Sequence, residues 1–196
     1  VTGLNAPKGM AVYKNLLYVS DLDRVAVIDR KLGKIIEFIA IPGSKFLNDV
    51  TNSSNGLIAV SDMANNAIYV IENNKYQLLT NDAALQSVNG LYWEGESLFA
   101  GTDNIIYKVD VATKKIQKWI EGTGGIDGFE RFAPNKFIIS DWTGKIQVVS
   151  TESVPVEVLN VASENYNAAD IDFNIKTKTL YIPTFAGNSV AAYRIE

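Results

Sequence analysis

Apolar residues along this chain come in short runs that end in turn-type breaks. In the first stretch, residues 9–13, 16–20, 25–29 and 34–40 are rich in Val, Ile and Tyr. They are divided by Lys14-Asn15, by 21–24 and by 31–33, all dominated by turn-forming residues. A later stretch repeats the plan with 90–93, 97–100, 105–110 and 115–120, broken by Glu94-Gly95-Glu96 and by 110–114. No window longer than about eleven residues carries apolar positions at helical spacing. The pattern predicts an all-β chain with almost no helix.

The runs form a repeat. Leu-Tyr-Val-Ser-Asp at 17–21 returns as Ile-Ala-Val-Ser-Asp at 58–62, Phe-Ala-Gly-Thr-Asp at 99–103, Ile-Ile-Ser-Asp at 138–141 and Leu-Tyr-Ile-Pro-Thr at 180–184. Anchored on Asp21, Asp62, Thr102, Asp141 and Thr184, the spacings are 41, 40, 39 and 43 residues. A second series, Lys8, Asn48, Asn89, Asp127 and Ala169, is spaced by 40, 41, 38 and 42. About 40 residues with four short strands per unit is the signature of a β-propeller blade. The expectation is one propeller domain over 1–196, with blades at 4–46, 47–87, 88–125, 126–167 and 168–196.

Four of these units hold four strand-like runs, whereas the fifth holds three. A propeller leaves no exposed edge when its last blade is completed from the other terminus, and only Val1-Thr2-Gly3 precede the first unit. The expectation is therefore a six-bladed parent of which this chain is the C-terminal five-sixths; a five-bladed ring that closes imperfectly is the alternative. On the first reading the open edge invites self-association, or is filled by an N-terminal segment.

Candidate chemistry lies where the first strands of the blades converge. The residue before each first strand is Lys8, Asn48, Asn89, Asp127 or Ala169, and the middle three carry side-chain oxygens. Such oxygens suit a hard divalent cation, calcium first, with magnesium or zinc as alternatives. Asn48-Asp49, Asn89-Gly90 and Asp127-Gly128 are also strong turn dipeptides, so the metal and turn readings both stand. Asp21, Asp62 and Asp141 read as caps of the turn that follows the second strand. Asp49, Asp170 and Asp172, close to the same anchors, are supporting or turn residues. Trp93 and Trp119 suit packing between blades, while Trp142 and Phe185 follow the second strand at equivalent points. Lys8 and Trp142 are the candidates for contact with a substrate.

The segments Asn48-Asp49-Val50, Asn89-Gly90-Leu91 and Asp127-Gly128-Phe129, each about 13 residues ahead of a Val-Ser-Asp-like element, resemble the regucalcin/gluconolactonase/luciferin-regenerating-enzyme (SMP-30-like) family. The chain is similar also to the looser class of NHL-repeat propellers. The resemblance implies a six-bladed propeller with one divalent cation at the channel mouth. It implies Asn48, Asn89 and Asp127 as three of four ligands, the fourth being a Glu in the blade outside this chain, and Asp127 as proton acceptor as well. Ile126 stands where the family has Pro. Lys8 adds a cation that would repel a metal; it suits a substrate carboxylate or phosphate, or neutralisation of Asp127.

Composition narrows the classes. The chain has no histidine, which removes Ser-His-Asp triads, histidine bases and histidine-ligated zinc, and no cysteine, which removes thiolate chemistry. A net charge of −4 offers no basic surface for nucleic acid. No apolar run approaches the roughly 18 residues of a membrane-spanning helix. The compartment stays open between periplasmic or secreted and cytoplasmic. Two functions remain in view: a metal-dependent hydrolase of sugar lactones or related small esters, catalytically incomplete as this chain, and a non-catalytic binding or scaffolding module.

Overall fold

The turn chemistry of the sequence determines where each strand begins and ends. Between β7 (Ala67–Glu72) and β8 (Lys75–Thr80), for example, Asn73 and Asn74 both take positive φ, 49° and 61°. Glu72 pairs with Lys75 across them, so this is a two-residue hairpin with the twist that Asn favours. Repeated along the chain, such turns yield the expected all-β propeller architecture. In the computed structural model, which describes residues 1–164 and 166–195, five sheets form with their strands in sequence order.

The first sheet comprises β1 (Pro7–Tyr13), β2 (Leu16–Asp21), β3 (Arg24–Asp29) and β4 (Lys34–Ala40). The second holds β5 (Leu47–Asn52), β6 (Ile58–Asp62), β7 and β8. The third holds β9 (Leu91–Glu94), β10 (Ser97–Gly101), β11 (Ile105–Asp110) and β12 (Ile116–Glu121). The fourth is β13 (Phe129–Ala133), β14 (Lys136–Ser140), β15 (Lys145–Ser150) and β16 (Ser153–Asn160). The fifth has three strands, β17 (Asp172–Asn174), β18 (Thr179–Pro183) and β19 (Val190–Arg194). Helix among the described residues is limited to three single turns, Ala83–Leu85, Ala162–Glu164 and Phe185–Gly187. Asn165, within the expected fourth blade, and Glu196, the last residue of the expected fifth, lie outside the described residues.

The chain divides into two compact units, Val1–Ala100 with Lys108–Ile116, and Gly101–Tyr107 with Gln117–Glu196. Each has an apolar core made by facing sheets. In the first, Ala11, Tyr18, Val27 and Ile39 of the first sheet meet Val50, Val60, Tyr69 and Ile71 of the second. In the second, Ile138 and Ile146 of the fourth sheet meet Phe173, Leu180 and Ile182 of the fifth. These side chains share a face because alternate residues of a strand point the same way.

One difference from the sequence reading concerns the anchors. Lys8 and Asn48 were expected just ahead of the first strands, yet both lie inside them, within β1 and β5. Each is carried by a bulge, between Pro7 and Met10 in one sheet and between Leu47 and Val50 in the other. A bulge lets the strand pick up its ladder early while turning a residue out of register, which alternation alone does not reveal.

Candidate functional site

The repeated Ser-Asp at the end of the second strand is where local sequence becomes architecture. The serine ties that strand to the first strands. Ser20 Oγ donates to the carbonyl oxygen of Asn48, Ser61 Oγ accepts from the Asp49 N–H at 2.9 Å, and Ser140 Oγ accepts from the Gly128 N–H at 2.8 Å. All three serines are buried, so the bonds act in low dielectric.

The aspartates do more than cap the turn after them. Asp21 Oδ1 accepts the N–H groups of Asn5 and Ala6, both at 2.7 Å, and its other oxygen meets the Arg24 guanidinium at 2.9 Å. Asp62 accepts from the Lys45 and Phe46 N–H groups at 3.0 and 3.1 Å, and from Asn65 Nδ2. These two therefore hold the segment entering the first strand, which is remote in sequence. The local turn-capping expectation holds for Asp62, which also accepts the Asn65 N–H at 3.3 Å, and for Asp141, which accepts the Thr143 N–H at 2.6 Å. With their oxygens engaged by backbone donors, these carboxylates are structural.

In the first unit the candidate residues have the following places. Lys8 is half-buried with its Nζ 5.7 Å from the centre of the Phe46 ring, a cation–π contact. Asn48 is half-buried, with Nδ2 3.8 Å from Met63 Sδ. Asn89 stands two residues ahead of β9, and its Oδ1 is buried. Beside them, Asp49 is the more firmly placed group. Its Oδ1 accepts the Val50 N–H at 2.7 Å and its Oδ2 accepts the Leu91 N–H of the third sheet at 2.6 Å. Gly9 of the first sheet lies against it, so close that a Cβ there would fall 2.5 Å from Asp49 Oδ1. A single buried carboxylate thus joins the first strands of three successive sheets.

In the second unit Asp127 is half-buried two residues before β13, with its N–H donated to the Ser140 carbonyl at 2.8 Å. It belongs to a group of four carboxylates with Glu130 of β13, Asp170 and Asp172. The first strands of the fourth and fifth sheets approach closely here: a Cβ on Gly128 would lie 2.5 Å from the Ile171 backbone nitrogen. Burial, reinforced by the charges of Asp172 and then Asp170, pushes the Glu130 carboxyl up to about 8. Burial, together with Asp127 and Asp172, pushes Asp170 up to about 7, although the Ile171 N–H bonded to its Oδ1 at 2.8 Å opposes the shift. Both groups hold a proton far more readily than an exposed carboxylate. Asp170 and Asp172 are signalled by their nearness to the Ala169 anchor. Glu130 is the residue that sequence reasoning missed; its signal is an acid two residues from Gly128, facing inward on a strand that is otherwise aromatic and apolar at that face.

Trp142 is surface-exposed and packs edge-on against Phe185, ring centres 5.0 Å apart, while its carbonyl accepts from Asn167 Nδ2 at 3.3 Å. Phe185 takes φ of 46°, a costly conformation for an aromatic residue. Trp119 packs edge-on against Phe137 of the neighbouring sheet at 5.3 Å, the inter-blade contact expected of it. Trp93 is half-buried, its indole N–H bonded to the Gly95 carbonyl at 3.0 Å. Among the described residues no group of three or more Asp or Glu side chains is placed to hold a metal ion.

No family model and no curated protein matches the chain at the level of sequence. Solved structures do match. A chain in the crystal structure of a nidogen/laminin complex superposes with a TM-score of 0.81 at 14% identity, over 97% of this chain and 76% of that one. A streptogramin B lyase superposes at 0.65 with 12% identity, over 98% and 84%. The virginiamycin B lyase of Staphylococcus aureus superposes at 0.63 with 15% identity, over 98% and 85%. At such identities the likeness concerns the fold alone, and the fold it supports is the β-propeller.

Proposed function

We propose that this chain is a non-catalytic binding propeller. The observation that carries the reading is where its carboxylates spend their oxygens. Asp21, Asp62 and Asp49 all accept backbone N–H groups from segments distant in sequence or from neighbouring sheets. A carboxylate held this way is a poor general base or metal ligand, because each new role forfeits a buried hydrogen bond. The chain in the nidogen/laminin complex, similar in fold, is found with a protein partner, which supports the same kind of role without assigning that partner. The test is lactone hydrolysis with and without added calcium, beside a calcium titration followed by thermal unfolding. The expected result is no metal-dependent turnover and no rise in Tm. Calcium-dependent hydrolysis that disappears in Asp127→Ala would overturn it.

A second reading is favoured by a different observation, the raised proton affinity of Glu130 and Asp170 in the carboxylate group that includes Asp127. It is the metal-dependent hydrolase of sugar lactones that the regucalcin-type resemblance implies. Oxygen donors Asn48, Asn89 and Asp127 suit calcium by type, and the cation would supply polarisation of the ester carbonyl. Asp127 would take up the proton, and Lys8 and Trp142 would orient the substrate. On this reading Asn89→Ala and Asp127→Ala both weaken calcium binding measured by calorimetry, whatever the substrate.

A further inference from the structure

The strand count differs in one place, and the surface exposed there has a definite chemistry. Among the described residues the fifth sheet ends at β19, whereas the other four sheets each carry a further outer strand. Ile195 donates its N–H to Lys178, continuing the register that pairs Leu180 with Tyr193. Alternation then turns the N–H groups of Val190, Ala192 and Arg194 toward the open side. The strand has no proline and one charged residue, Arg194, so little blunts this edge.

Outward of Glu130 the adjoining face of the fourth sheet is apolar, and it is open at Val156 and Val158. The pairs Glu130–Ile138, Ile138–Val148 and Val148–Val156 put these residues on one face. Ile138 packs there with Phe173 and Leu180 of the fifth sheet, and Tyr193 of β19 and Leu159 of β16 border the same cluster. Phe132, Val148, Val156 and Val158, together with Lys136, Ser150 and Ser153, line a cavity of about 240 Å³, and Val156 is 51% exposed.

The first unit shows what covers such a face. Ser20 and Ser140 align the first and fourth sheets, which makes Tyr18–Val27–Glu37 the counterpart of Ile138–Val148–Val156. Over that counterpart the second sheet carries its outer strand, β8. The pairs Tyr69–Leu78 and Ile71–Tyr76 place Tyr76 and Leu78 on the side of Tyr69, which packs with Tyr18 and Val27. Asn74, in the turn leading into β8, donates to Glu37 at 2.5 Å. Val27 is fully buried, whereas Val148 is only half-buried.

We infer that the β19 edge and the apolar face of the fourth sheet form a docking groove for one extended peptide strand with bulky apolar side chains at alternate positions, added to β19 as β8 is added to β7. Backbone bonds to Val190, Ala192 and Arg194 supply affinity, and the cavity at Val148 and Val156 selects the side chains. Where Glu37 receives a polar Asn74 in the first unit, Val156 calls for an apolar contact. The groove lies outward of Ile138 on the face whose innermost residue is Glu130, and it stands whether or not the chain is catalytic.

The probe is a synthetic peptide of residues 73–82 of this same chain, Asn-Asn-Lys-Tyr-Gln-Leu-Leu-Thr-Asn-Asp; the control carries Asp in place of its Tyr and its first Leu, Tyr76→Asp and Leu78→Asp. Each is titrated into the full chain by calorimetry, with amide hydrogen exchange read at β19. The expected result is saturable binding of the probe alone, with exchange at Val190, Ala192 and Arg194 slowed about tenfold or more. Ala192→Pro removes one outward donor without touching a bond to β18, and Val156→Asp charges the cavity at an exposed site. Each lowers affinity by about tenfold. Absence of saturable binding, or binding unchanged in Val156→Asp as well as Ala192→Pro, overturns the inference. So does slow exchange at these three amides before any peptide is added: in a dimer it assigns the edge to a second copy, and in a monomer to the chain's own residues.

Discussion

The joint at Gly9, Asp49 and Leu91 in the first unit and the joint at Gly128, Asp170 and Ile171 in the second are the same device with opposite electrostatics. Each presses a glycine of one first strand against a carboxylate-bearing segment of the next. In the first joint both carboxylate oxygens are taken by backbone donors, Val50 and Leu91. In the second, Asp170 receives the Ile171 N–H and stands among Asp127, Asp172 and Glu130. Burial, and then the charges of Asp127 and Asp172, favour the protonated form of Asp170, whereas both oxygens of Asp49 are held by backbone N–H groups. The same position in the repeat thus becomes a latch in one unit and a proton store in the other.

The largest effect that would break this comparison is Asp49→Ala. It strands two buried N–H groups, and about 2–4 kcal/mol of stability is expected to go, read by urea unfolding. Asp170→Ala removes one N–H acceptor while relieving repulsion, so its cost is expected well below that of Asp49→Ala. Equal losses in the two variants would show that the joints do not differ in kind.

Gly9→Val and Gly128→Val come next, at about 2–3 kcal/mol each, because the added side chain meets Asp49 and Val50 or the Ile171 backbone. Thermal unfolding of both measures it, and a loss in only one would place the close approach in that joint alone.

The pH dependence sharpens the electrostatic half of the comparison. Folding raises the proton affinity of Glu130 and Asp170 above that of the unfolded chain. Their favourable contribution is complete below about pH 4 and declines as pH rises through about 7 and 8. For these half-buried groups a decline of about 2 kcal/mol between pH 5 and pH 8.5 is expected. Asp29 and Asp110 act oppositely: backbone N–H donors lower them, so their contribution fades as pH falls through the acid range. Glu130→Gln is expected to flatten the decline from pH 5 to 8.5 while leaving the acid limb unchanged, in unfolding titrations at fixed ionic strength.

The smallest effect belongs to the exposed aromatic pair. Trp142→Ala removes an edge-on contact at the surface, and a loss of about 0.5–1 kcal/mol is expected by thermal unfolding. A larger loss would mean that the pair supports the loop bearing Asn167, through the Trp142 carbonyl, more than its exposure suggests.

Much of this was legible in the chain itself. The 40-residue period, the alternation and the turn dipeptides determined the strands, because those features act over a few neighbouring residues and compete with nothing remote. The Ser-Asp element was legible as structural, though its reach was not. Asp21 and Asp62 bind segments 15 to 17 residues away, a choice among partners that only the folded chain makes available.

Tertiary structure alone decided which acids became latches and which became proton stores. Asp49 and Asp170 occupy equivalent places in the repeat, and each accepts the N–H of the residue that follows it. The difference lies in what packing adds: the Leu91 N–H of the neighbouring sheet in one case, and burial with the charge of Asp127, reinforced by nearby Asp172, in the other. Backbone conformation is chosen locally, whereas the charge state of a buried group is set by every group that packing brings within a few ångströms.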